Sequence, residues 1–242
     1  MLLMRLWRSL NKSQTQKTTV KVKGVIDSLN FSSSDLEALF KDDENYIIED
    51  IKGVGVFRPD VWIGAFKKPL TRNIIEAKIL HTSTGLTLPI KRHSRSPTKQ
   101  TLEFAGLHGY NEKSKLLNEL LSSLLEHIQD TQVTRLDVAI DFKGKIPNRV
   151  IKKLCEDREP FRFWNTTYYK SKSEKKQNNR LNIKTYNKSL TKNETQNIYR
   201  LEFSFLSSYL QKIQVKDIEK SFTKMAKTIK RFSGLDVKIS YL

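Results

Sequence analysis

TRLDVAIDF, residues 134–142, places an arginine two positions before a carboxylate inside an apolar strand, and YRLEFSF, residues 199–205, does so again. Side chains of a strand alternate between faces, so Arg135, Asp137 and Asp141 share one face while Leu136, Val138, Ile140 and Phe142 take the other. Arg200, Glu202 and Ser204 likewise oppose Leu201, Phe203 and Phe205. The pattern predicts a sheet that is apolar on one side and carries converging carboxylates on the other. TLEFA at Thr101 to Ala105 adds Glu103 in the same setting. Oxygen ligands of this hard type suit a divalent cation, Mg2+ or Mn2+, and the chain offers no cysteine cluster or paired histidines for zinc. The competing reading is that each carboxylate pairs with a basic neighbour, Asp137 with Arg135 and Glu202 with Arg200.

Around these strands the chain reads as alternating strands and helices. Residues 1–17 are predicted to be a flexible basic arm and 18–242 one domain. Thr18 to Ile26 predicts a first strand, and Ser34 with Glu37 is spaced as the capping box of a short helix ending at Phe40. Lys41 to Asp50 reads as an acidic loop. Gly53 and Gly55 lack the rest of any phosphate-binding fingerprint and read as a turn or bulge. Residues 73–91 predict a hairpin turning at Thr84 and Gly85. Leu117, Leu120, Leu121, Leu124 and Ile128 form a helical stripe within Lys113 to Ile128. A further helix begins at Pro147 and runs through Cys155, with Val150, Ile151 and Leu154 as its apolar side. FRFWNTTYYK and RLNIKTYNK read as two strands, and Val215 to Phe232 as one final helix stopped by Gly234. The fold class is therefore α+β, a mainly antiparallel central sheet with helices on its apolar face.

Composition points to a polyanionic partner. The 44 Lys plus Arg against 26 Asp plus Glu give a formal charge of +18, which attracts nucleic acid over about a Debye length. Ribosomal and membrane-surface proteins share such a charge, but carboxylates grouped on a sheet face would repel phosphate unless a cation stood between them. The single cysteine, Cys155, excludes an internal disulfide framework and fits a reducing cytoplasm. The opening MLLMRLWRSL is too short an apolar run for an export signal or a membrane helix, and no membrane association is expected.

In LNIKTYNK, residues 181–188, alternation sets Leu181, Ile183 and Thr185 against Asn182, Lys184, Tyr186 and Lys188. Tyr186 is thus a phenol flanked by two lysines on the polar face, where positive charge favours the phenolate. Tyr168 and Tyr169 precede Lys170, Lys172, Lys175, Lys176 and Arg180, an interleaving of aromatics and cations that suits single-stranded DNA. His108, just after Glu103, is placed to reach the polar face.

TRLDVAIDF, LNIKTYNK and YRLEFSF, in that order and downstream of TLEFAGLHGYN, resemble the plasmid rolling-circle replication initiators of the trans-acting replication protein family. The resemblance covers residues 101–210. Where the family usually has arginine two residues before its tyrosine, this chain has Lys184, and Ser171 replaces a usual glycine. The resemblance implies a nicking-domain fold, with Tyr186 as the nucleophile joined to the 5′ phosphate, and a divalent ion held by Glu103, Asp137, Glu202 and Asp141. Arg135, Arg200, Lys184 and Lys188 are expected to position phosphate or tune the tyrosine. Single-stranded and origin DNA are the implied partners, with a host helicase and a second copy of the chain as candidates. The alternatives are a non-enzymatic DNA-binding regulator on the same fold and a related mobilisation relaxase.

Overall fold

A computed structural model describes residues 22–41, 43–57, 72–93, 96–108, 112–172, 180–189 and 197–240. The predicted basic arm, Lys175 and Lys176 lie outside the described residues. The chain is α+β, dominated by one sheet of eleven strands. Its strands are β1 (Val22–Ser33), β2 (Tyr46–Phe57), β3 (Arg72–His81), β4 (Thr87–His93), β5 (Ser96–Ala105), β6 (Gln132–Lys143), β7 (Arg158–Phe163), β8 (Thr166–Ser171), β9 (Leu181–Asn187), β10 (Ile198–Leu206) and β11 (Val237–Ser240). The helices are α1 (Glu112–Ile128), α2 (Asn148–Asp157), α3 (Ser207–Leu210) and α4 (Phe222–Ser233), with a 3₁₀ segment at Val215–Ser221.

The spatial order is β2-β3-β4-β5-β1-β6-β10-β9-β8-β7, with every neighbour antiparallel. β11 lies parallel to β1 along Val22 to Val25. β5, α1 and β6 form a strand, helix, strand unit, but β1 stands between the two strands and pairs antiparallel with both. This insertion makes β1 the centre of the sheet. Gly24 is required there because a Cβ would lie 2.6 Å from the Val237 side chain and 3.0 Å from that of Val138.

The predicted alternation holds in the middle of the sheet. Leu29, Phe31, Leu102, Phe104, Leu136, Val138, Ile140, Ile183, Leu201, Phe203 and Phe205 are all buried in one core. The α1 stripe from Leu117 to Ile128 joins that core. α4 packs against α2 and β11, and α2 against β7 and β8. Truncating such a side chain to alanine costs about 2–5 kcal/mol, so this face fixes the register of the central strands. Among the described residues, no helix is long and apolar enough to cross a membrane.

Several expectations are corrected. β1 runs on to Ser33, and residues 34–41 form turns rather than a helix. There Asp35, not Ser34, accepts a backbone N–H, that of Ala38, and Glu37 instead accepts from Gln100. Half of the predicted acidic loop is strand β2, whose register against β3 shifts between Asp50 and Val54, around Gly53. FRFWNTTYYK is a hairpin: β7 and β8 turn at Trp164 and Asn165. The final helix begins as a 3₁₀ segment because its buried positions Val215, Ile218 and Ser221 recur every third residue, whereas Met225 and Ile229 then recur every fourth. Gly234 ends it at φ 72°, donating to the Lys230 carbonyl.

Candidate active site

The cross-strand register assembles the polar face residue by residue. Arg200 on β10 stands opposite Asp141 on β6 and Tyr186 on β9. Glu202 is opposite Lys184, and Ser204 lies between Asp137 and Asn182. Asn30 on β1 lies between Arg135 and Glu103. The sheet thus brings Glu103, Asp137, Asp141, Glu202, Arg135, Arg200, Lys184 and Tyr186 to one face, from segments that are far apart in the chain.

These groups form an ion-paired layer. Arg135 grips Asp137 with two hydrogen bonds of 2.8 and 2.7 Å. Arg200 grips Asp141 at 2.8 and 3.1 Å and reaches Asp27 at 2.7 Å. Lys184 Nζ lies 2.9 Å from Glu202 Oε1, while the Tyr186 hydroxyl donates to Oε2 of the same carboxylate at 2.9 Å. Lys91 pairs with Glu103 at 2.9 Å. Arg200, Glu202 and Asp137 are almost wholly buried, whereas Lys184, Arg135, Glu103 and Asp141 are partly exposed. His108 does reach this face, with Nε2 3.6 Å from Asp141.

Burial without pairing would be costly here, so the charges shift one another strongly. Burial pushes the Tyr186 phenol up, and the adjacent Glu202 charge pushes it further. Glu202 is itself raised, first by burial and then by repulsion from Asp137, against the pull of Lys184. Burial opposes the charge of Lys184, but Glu202 outweighs it and holds the ammonium above its ordinary value. For Arg135 and Arg200 the carboxylate partners outweigh burial in the same way. His108 is pushed down to about 4 by burial and then by the Arg200 charge, so it is neutral at physiological pH.

The donor set has the right chemistry for a hard cation, but its arrangement does not fit one. Both oxygens of Asp137, Asp141 and Glu202 accept from protein groups. Among the described residues, no three His, Cys, Asp or Glu side chains gather closely enough to hold a metal ion. A divalent ion bound by Asp137, Asp141 or Glu202 would compete with Arg135, Arg200 or Lys184 for that carboxylate. The pairing of Asp137 follows the competing sequence reading, whereas Glu202 takes Lys184 in place of the expected Arg200.

The expected DNA contacts divide differently. Arg200 is buried under its two carboxylates, and Arg135 is held by Asp137, so neither guanidinium is presented outward as a phosphate clamp. Tyr169 turns into the core, its hydroxyl 3.4 Å from Thr185, and is no stacking surface. Tyr168, on the opposite face, stays with Lys184 on the polar side. Lys172 donates to the Cys155 and Glu156 carbonyls at the end of α2. Lys170 and Arg180 are exposed, while Lys188 is buried.

Asp27 is the group that sequence alternation does not find. The register of β1 against β6 skips from Ile26 to Ser28, so Asp27 is a bulged extra residue. Following the buried Ile26, Asp27 faces the polar side within reach of Arg200, and the bulge keeps Ser28 on that same face, opposite Asp137. Comparison with protein-family models and with curated proteins gave no match, so the functional reading rests on the residues themselves.

Proposed function

We propose that the chain is a DNA strand transferase and endonuclease that starts rolling-circle replication of a plasmid or phage genome, with Tyr186 as its nucleophile. The observation that carries this reading is the contact of the Tyr186 hydroxyl with Glu202, whose second oxygen is held by Lys184. A phenol raised by burial is inert unless a base takes its proton, and Glu202 is within hydrogen-bond reach to do so. The phenolic oxygen forms a bond to the scissile phosphorus as the bond to the DNA 3′ oxygen breaks. The phenol proton passes to Glu202, and the departing 3′ oxygen takes a proton from solvent. Lys184 holds Glu202 ready to accept and lies 5.4 Å from the Tyr186 ring centre, where its charge also offsets that developing on phosphate. The net charge of +18 attracts DNA to the chain as a whole.

Tyr186→Phe should abolish cleavage of single-stranded origin oligonucleotides on denaturing gels, a loss of about a thousandfold or more, while leaving DNA affinity nearly unchanged. Cleavage retained by that variant overturns the assignment. The second reading is a DNA-binding regulator on the same sheet, favoured by the complete ion pairing of Asp137, Asp141 and Glu202. Such a protein binds DNA equally well with EDTA or manganese and cuts under neither condition.

A further inference from the structure

The β7–β8 hairpin carries aromatics that the proposed chemistry does not use. Trp164 is 83% exposed at its tip, and Phe161 and Phe163 are each 40% exposed. Trp164 is the first residue of a two-residue turn and adopts φ 53°, a conformation that glycine, asparagine or aspartate ordinarily supplies. Forcing an L side chain there costs on the order of 1 kcal/mol. The Arg162 side chain fastens the turn by donating to the Trp164 carbonyl at 3.2 Å.

Register places this tip beside the nucleophile. Phe163 pairs with Thr166, and Thr166 pairs with Tyr186. Cross-strand partners share a face, so Phe163 lies on the same face as Tyr186, two strands and therefore about 10 Å away. Phe161 pairs with Tyr168, which pairs with Lys184, so it joins the same face. The Phe163 and Trp164 rings are 6.2 Å apart at 34°, and the Lys170 ammonium sits 4.3 Å over the Phe161 ring.

We propose that Trp164 and Phe163 form a stacking platform for an unpaired base of single-stranded DNA, a nucleotide or two from the phosphate presented to Tyr186. This rests on the nucleic-acid reading above. An exposed aromatic tip interleaved with Arg162 and Lys170 on a strongly basic chain matches a ligand with π faces and phosphates. A second copy pairing along edge strand β7 is the competing occupant. Pro160 counts against it, having no N–H to offer another strand.

The test is binding of a labelled oligothymidylate to the full chain by fluorescence anisotropy, without cleavage as a readout. Trp164→Gly keeps the turn and relieves its strain, and circular dichroism checks that the fold persists. The variant should bind about fivefold to 150-fold more weakly, and Trp164→Phe should recover most of the loss. Unchanged affinity in Trp164→Gly, with normal binding by the parent chain, overturns the platform and leaves the Tyr186 proposal standing. No binding by the parent chain overturns both. A variant that loses self-association in sedimentation but keeps its DNA affinity overturns the platform in favour of a second copy.

Discussion

The centre of the polar face and the tip of the β7–β8 hairpin lie along the same surface but treat their functional groups in opposite ways. At the centre, Arg200, Asp141, Asp27, Glu202 and Lys184 are drawn together and saturate one another. At the tip, Trp164 is held outward in a strained turn. The first arrangement fixes the Tyr186 hydroxyl against Glu202 in one geometry, as the proposed chemistry requires. The second leaves Trp164 uncovered by the rest of the protein. The proposed nucleophile and the proposed stacking platform are thus about two strand spacings apart.

The sharpest way to break the contrast is to remove a cation from the centre. Arg200→Met leaves Asp27 and Asp141 close together and short of positive charge, and should lower unfolding free energy by about 3–5 kcal/mol in urea titration. A loss below about 1 kcal/mol would mean that the layer is a surface network after all.

A smaller effect follows from His108. Its folded value, about 4, lies below the ordinary value near 6.5, so the unfolded chain binds protons more readily in that range. Its contribution to stability is therefore complete above about pH 6.5 and is lost as pH falls towards 4. His108→Gln should flatten the stability profile over that window by roughly 2 kcal/mol. An unchanged slope would place the histidine in solvent. The smallest effect is expected at the tip, where Trp164→Gly should change unfolding free energy by less than about 1 kcal/mol. A larger loss would show that the tryptophan supports the fold rather than a ligand.

Much of this was legible in the sequence. TRLDVAIDF, LNIKTYNK and YRLEFSF sort into two faces because a strand has a period of two, and the sheet keeps that sorting from Arg135 to Phe142 of β6 and along β9 and β10, while an irregularity at Thr134 sets Val133 in the core. What the pattern could not show is which cation meets which carboxylate. Glu202 takes Lys184 from β9 rather than Arg200 from its own strand, a choice set by register. Asp27 escaped because the predicted first strand stopped at Ile26, one residue short of it, whereas β1 runs on to Ser33. The β7–β8 turn escaped because a tryptophan occupies the place of the usual glycine, leaving Asn165 as the only turn residue in FRFWNTTYYK. β11, four residues long, is too short for periodicity to mark it.

The most direct test of the whole account is mass-spectrometric mapping of any covalent DNA–peptide adduct formed by the full chain with single-stranded origin oligonucleotides, in parallel with and without manganese. One adduct is expected, on Tyr186, and it disappears in Tyr186→Phe. An adduct on Tyr168, or tight binding with no adduct under either condition, would contradict it.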